Sequence, residues 1–228
     1  MPHVNKIIFR KMRREFARFP NLDVSETVKL GKVGFFDNRR AFFNWKTSLD
    51  RLNLFISEEP RDDKFPICDE LYTSYGGVET QFRVTEEKFG TADFLFRKKY
   101  AVAAQAIGTE SKALDIDSLE QQIVKGINNG SLKWNKKWVV VTEVFVASAF
   151  SLLVGSSSGG MASVRTNIPI TQLGFNIADP NLSLSISGAK QMGKQIIARR
   201  NVVPFFRVHR VCGNWKSGKL SLEPYGRN

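Results

Sequence analysis

Trp138-Val-Val-Val-Thr-Glu-Val-Phe-Val-Ala-Ser-Ala-Phe-Ser-Leu-Leu-Val154 is the stretch on which the fold turns. Rich in Val and Phe, it reads as one long β-strand. Gly155-Ser-Ser-Ser-Gly-Gly160 then reads as a hairpin turn, and Met161 to Ile168 returns as a second strand. The alternation of apolar and polar residues in the long strand is imperfect, which leaves its register open.

Downstream, Leu182-Ser-Leu-Ser-Ile-Ser187 alternates strictly, Ile196-Ile197 starts a short run, and Val202 to Val211 reads as a core strand despite Pro204. Upstream, Val78 to Ala104 is mostly strand. Phe82, Val84, Phe94, Phe96, Tyr100 and Val102 fall on even positions, and Gln81, Arg83, Thr85, Arg97 and Lys99 on odd ones. Between these blocks Asp115 to Gly126 predicts a short helix, capped by Asp115 or Asp117, with Leu119 and Ile123 on one face and Gly126 or Gly130 ending it.

Nearer the start, Ser57 to Asp63 with Pro60 reads as a surface loop. Phe35-Phe36-Asp-Asn-Arg-Arg-Ala-Phe42-Phe43-Asn-Trp45 reads as a hairpin with aromatic strand ends around a polar tip. The first helix is placed at Val4 to Phe19, stopped by Pro20, because Ile8, Phe9, Met12 and Phe16 share an arc of about 100°. The rest of that wheel carries Lys6, Arg10, Lys11, Arg13, Arg14 and Arg18, with Ile7 the apolar exception, so the helix is amphipathic and basic.

Helices and strands are mixed without regular β-α-β alternation, and the strands tend to follow one another as hairpins. The class is therefore α+β with a mainly antiparallel sheet. A single domain over residues 1–222 with a short tail at 223–228 is the simplest division of 228 residues.

Lys and Arg number 34 against 22 Asp and Glu, a formal charge of +12 that attracts polyanions, whether nucleic acid or acidic membrane. Two cysteines, Cys68 and Cys212, indicate neither a disulfide framework nor a zinc ribbon. The first residues carry charge where a signal peptide needs an apolar core, and no stretch reaches the ~20 apolar residues of a spanning helix. A soluble cytoplasmic protein is expected.

Catalytic chemistry finds little support. His3 sits at the terminus, and His209 has no partner identified by spacing, so a structural role is expected for it. Gly155 to Gly160 lacks the Lys and Ser or Thr of a phosphate loop and precedes a strand. Cys212 stands near Arg207 and Arg210 with no base placed by motif, and Glu86, Glu87, Asp115 and Asp117 fit strand ends and caps. No catalytic residue, metal ligand or cofactor is expected.

The order of patterns in the C-terminal half, from Trp138-Val-Val-Val-Thr-Glu-Val144 through the Ser-Gly turn and the strand to Pro169 into Pro204-Phe-Phe-Arg-Val-His-Arg-Val211, resembles that of bacterial and fungal gasdermins. The basic first helix, Phe19-Pro20, a short strand through Leu30, and Ser48-Leu-Asp-Arg-Leu52 resemble the same family's opening segments. The resemblance spans nearly the whole chain. It implies a twisted antiparallel sheet with surrounding helices, in which two regions, here Gly77 to Ala104 and Trp138 to Ser187, refold into long hairpins that join neighbours in a membrane-spanning barrel.

What the resemblance implies about activity is regulated permeabilisation of a membrane and death of the producing cell, as defence against phage or non-self. The partners would be acidic phospholipid and further copies of the chain, the protein being cytoplasmic when inactive and at the cell membrane when active. Lys6, Arg10, Lys11, Arg13, Arg14 and Arg18 would bind lipid, at about 1 kcal/mol apiece near an anionic leaflet. Phe35, Phe36, Phe42, Phe43 and Trp45 would enter the interface. The competing expectations are a solvated charged face over an ordinary core contact for the helix, and simple core packing for the aromatic hairpin.

Two features depart from the family pattern. Met1-Pro-His3 offers no N-terminal cysteine for acylation, and only Glu223 to Asn228 follow Leu222, where the family carries an inhibitory segment removed by an activating protease. Inhibition by a dimer or partner protein, or prior processing, is the expectation that follows. The alternative function is a basic nucleic-acid-binding module, since charge alone does not tell phosphate polymers from phosphate headgroups.

Overall fold

The computed structural model describes residues 2–16, 18–23, 28–37, 42–61, 72–74, 76–84, 90–166, 183–185 and 192–225. The expected hairpin tip at 38–41, the end of the expected loop at 62–63, Cys68, Thr85, Glu86 and Glu87, the strand ends at 167–168, 182 and 186–187, and the last three residues lie outside these. In chain order the elements are α1 (Pro2–Phe16), β1 (Phe19–Pro20), β2 (Lys32–Asp37), β3 (Phe42–Ser48), β4 (Glu58–Arg61), β5 (Tyr72–Thr73), β6 (Val78–Val84) and β7 (Gly90–Phe96). There follow β8 (Val102–Leu114), α2 (Ile116–Asn128), β9 (Val139–Gly155), β10 (Gly160–Thr166), β11 (Ser183–Ser185), β12 (Met192–Asn214) and β13 (Lys219–Pro224). The fold is α+β, and every strand pairing described is antiparallel.

Strand β9 is the spine. It pairs with β12 along one edge; on the other it pairs with β8 over Glu143 to Val154 and with β2 at Val139 and Val140. Its side chains are buried on both faces almost throughout, including Val140, Val141, Val144, Phe145, Phe150, Leu152 and Leu153. A strand covered on both faces has no solvent side to alternate with, which is why the sequence pattern left its register open.

Residues Gly155 to Gly160 do not close a β9–β10 hairpin. They carry the chain from this sheet into a second one, ordered β11-β10-β7-β6, where β10 pairs with β7 from Gly160↔Phe96 to Thr166↔Gly90. Gly155 sits at that corner in close contact with Phe96, so that a Cβ there would lie 2.7 Å from the Phe96 Cβ.

The two runs expected at 196–197 and 202–211 are parts of one 23-residue strand, β12. Register shifts at four places let it bend along β9, and Pro204 falls within the shift between Val202 and Phe205, where a missing N–H costs no ladder bond. The Pro204 carbonyl accepts a 2.7 Å hydrogen bond from the Asn21 amide.

Three further expectations are corrected. The first helix ends by Phe16, and Phe19-Pro20 instead forms a two-residue strand on Phe206 and Phe205 of β12, since Phe19 is buried among aromatic rings of the sheet. Glu58 to Arg61 is an edge strand on β8, a position that tolerates Pro60. Strand β2 begins at Lys32, after a turn at Leu30 and Gly31.

Helix α2 matches its sequence signals closely. The Asp115 carboxylate accepts from the amides of Asp117 and Ser118, and Leu119 and Ile123 are fully buried. Gly126 does not end it. It lies inside the last turns, where a Cβ would meet Leu132 at 2.8 Å. No described helix is long and apolar enough to cross a membrane, which says nothing about strands.

Candidate functional site

The N-terminal helix and the aromatic hairpin meet. Phe9 and Met12, three residues apart on one face of α1, are buried against the sheet, each worth about 1.5–3 kcal/mol of transfer free energy. Phe9 stacks on Phe36 of β2 with centroids 5.0 Å apart, and lies 5.5 Å from Phe19 and 6.4 Å from Phe43 of β3. Phe36 and Phe43 are a cross-strand pair with rings 5.0 Å apart, and Phe43 stacks on Trp45 at 5.1 Å. Phe206 and Tyr225 complete the cluster.

The six cations expected to bind lipid have separate fates. Arg10 and Arg14, four residues apart, are exposed on one side of α1, and Lys6 is half-buried. Lys11 donates to the Tyr100 carbonyl at 3.1 Å, and the Arg13 guanidinium lies 5.5 Å from the centre of the Phe19 ring. Arg18 lies beyond the helix. Its Nε and Nη2 both donate to Glu143 Oε1 of β9, at 2.9 and 2.7 Å, with the two side chains only 10% and 3% exposed.

Glu143 was not singled out by sequence, yet it is the most buried charge of this region. Arg207, opposite it on β12, brings Nη1 to 3.0 Å from the other carboxylate oxygen, a contact of charge without hydrogen-bond alignment. A carboxylate this deep is held by its two guanidinium neighbours, since an isolated buried charge would cost several kcal/mol.

Among the five aromatics, Phe43 is core, Phe36 and Trp45 are half-buried in the ring cluster, and Phe35 is half-buried with Lys46 Nζ 5.4 Å from its ring centre. Phe42 alone of the five is an exposed side chain, at 39%. The core-packing expectation therefore accounts for Phe43, and interface contact in this conformation is open chiefly to Phe42.

Beside the hairpin lies a groove of about 850 Å³. Phe35, Phe36, Asp37 and Lys46 form one wall; Asn135, Lys136, Lys137 and Trp138, just before β9, form another; Arg210 and Tyr225 close it. The Arg210 guanidinium lies 5.3 Å from the Tyr225 ring centre, and Lys136 sits over Trp215 at the same distance. Basic and aromatic residues alternate in Lys133-Trp134-Asn-Lys-Lys137-Trp138, a signal that the sequence offered for this wall.

His209 is buried, with Nδ1 2.7 Å from Thr142 Oγ1 across the β9–β12 ladder. Cys212 is a free, half-buried thiol. Among the described residues no three His, Cys, Asp or Glu side chains converge as a metal site would require.

Comparison with solved structures finds similarity to a bacterial gasdermin from Bradyrhizobium tropiciagri, at 9% sequence identity, over 94% of this chain and 90% of that one, with a TM-score of 0.41. At that identity and overlap the similarity bears on no activity. No family model and no curated protein sequence matches the chain.

Proposed function

We propose that the chain binds acidic membrane and opens it by assembling with further copies of itself into a strand-lined pore. The observation that carries this reading is the packing of Phe9 on Phe36, which mounts a basic amphipathic helix directly on an aromatic hairpin. Arg10 and Arg14 on the helix and Phe42 on the hairpin offer surface charge and an insertable ring from one assembly. The formal charge of +12 favours an anionic leaflet over long range.

Assembly follows from physics once strands enter lipid. A lone hairpin would leave edge N–H and C=O groups unpaired at several kcal/mol each, whereas a closed ring of copies pairs them all. The order of sequence patterns, similar to that of gasdermins, supports the same reading and extends it to regulated cell death in defence. Release from an inhibitory dimer, a partner protein or a protease-sensitive segment would supply the trigger. The protein would wait in the cytoplasm and act at the cell membrane, with no enzymatic step.

Dye release from liposomes with and without acidic phospholipid tests this, run beside a DNA titration at matched salt. Leakage that requires acidic lipid is the expected result. Intact liposomes under every activating condition, with salt-sensitive retention of DNA, would replace the pore by a nucleic-acid-binding module.

A further inference from the structure

We infer that the groove between the aromatic hairpin and the start of β9 is a binding site for a small phosphorylated ligand with a flat ring, a mononucleotide in chemical class. The inference is independent of the membrane reading, and rests on the groove alone.

Charge selects the anion. Among the described residues, Lys46, Lys136, Lys137 and Arg210 border a space that receives one carboxylate, Asp37. Glu223, opposite Arg210 on the neighbouring strand, accepts from the Ser221 hydroxyl at 3.1 Å. Lys136 and Lys137 are exposed on a turn, and Arg210 is exposed on β12, so each can reach a di- or triphosphate without leaving a buried partner unpaired.

The walls select the ring. Phe35, Trp138 and Tyr225 are each half-buried, and two of them already carry a cation over the ring face: Lys46 over Phe35 and Arg210 over Tyr225. That interleaving of cation and aromatic suits a ligand whose base stacks while its phosphates pair.

Size and polarity exclude the main rivals. About 850 Å³ lies within the range of small-molecule sites and exceeds what inorganic phosphate would fill. An acyl chain seeks a closed apolar tunnel, whereas this groove is open to solvent and five of its ten described lining residues are charged.

Isothermal titration of the full chain with adenosine diphosphate, pyrophosphate, adenosine, anionic phospholipid vesicles and a ten-nucleotide single strand tests the assignment. Saturable one-to-one binding of the diphosphate is expected, with pyrophosphate and adenosine each at least about tenfold weaker, the equivalent of one lost contact set. Arg210→Ala and Lys137→Glu, both at exposed positions, are expected to weaken it about tenfold with unchanged thermal unfolding of the free protein. Absence of saturable diphosphate binding would overturn the proposal. So would equal affinity for pyrophosphate, indifference to both variants, or tighter binding of vesicles or the single strand that displaces the diphosphate.

Discussion

Arg18 holds Glu143 with two guanidinium nitrogens on one carboxylate oxygen, at 2.9 and 2.7 Å, across 125 positions of sequence. The pair ties the segment that follows the N-terminal helix to the central strand of the sheet, and Arg207 supplies a second positive neighbour.

Removing Glu143 leaves two guanidinium groups facing each other without their carboxylate, and removing Arg18 leaves the buried Glu143 with Arg207 alone, which does not hydrogen-bond it. Glu143→Ala and Arg18→Ala are each expected to destabilise the protein by about 3–5 kcal/mol, Glu143→Ala with the added repulsion of Arg18 and Arg207. Urea unfolding followed by circular dichroism reads the loss as a lower midpoint, and a loss under about 1 kcal/mol would place Glu143 in solvent.

The chain corner at Gly155 gives a prediction of different origin. Its backbone amide donates to the Ala101 carbonyl, its carbonyl accepts from Tyr100, and its Cα faces Phe96. Gly155→Ala forces a methyl into a contact of 2.7 Å with the Phe96 Cβ, so a cost of about 1–3 kcal/mol is expected from overpacking. Thermal unfolding checks it, and an unchanged midpoint would mean the two sheets part freely there.

Asp115 caps helix α2 through two amides, both at 3.1 Å from one carboxylate oxygen. Asp115→Ala is expected to cost about 1 kcal/mol, and Asp115→Ser to restore most of it, by the same unfolding measurement.

One carboxylate has a resolved electrostatic signature. The Arg97 hydrogen bond, chiefly, and then the Gln81 amide and the Arg97 charge, hold Glu79 below the ordinary carboxylate value of 4.5. A depressed folded-state value means that the pair's contribution is present above about pH 4.5 and is lost as pH falls through the lower, folded value. Both side chains are exposed, so the effect on stability is small. Carbon-13 NMR titration of the Glu79 carboxyl should show the low midpoint, and Arg97→Ala should return it toward 4.5.

How far the sequence could be read depended on where side chains face water. Helix α2 was legible because cap, buried stripe and exit turn all agree locally. Strand β9 was legible as a strand, but with both faces buried it had no polar phase to fix its register. Strand β12 looked like two pieces because Arg199-Arg200-Asn201 breaks its apolar run; there Asn201 takes a left-handed φ of 51° between the register shifts. The wheel over residues 4–19 grouped Arg18 with the helical cations because nothing local announces that the helix stops by Phe16. The groove escaped notice since its lining comes from separated segments around Phe35, Lys46, Trp138, Arg210 and Tyr225, which only the β2–β9–β12 pairing brings together.

These placements sharpen the membrane prediction. Arg13 and Arg18 are engaged with Phe19 and Glu143, so their substitution would confuse lipid affinity with folding. Arg10 and Arg14 are exposed, and Arg10→Ala with Arg14→Ala should leave the circular dichroism spectrum and unfolding midpoint unchanged. At about 1 kcal/mol per cation near an anionic leaflet, the pair should weaken co-sedimentation with acidic vesicles roughly thirtyfold at low salt. Phe42→Ser should instead reduce leakage more than binding, because an inserted ring acts after charge has concentrated the protein at the surface. Vesicle binding that survives both charge removals would assign the attraction to the groove cations Lys46, Lys136, Lys137 and Arg210, and α1 would then be a structural cover for the sheet.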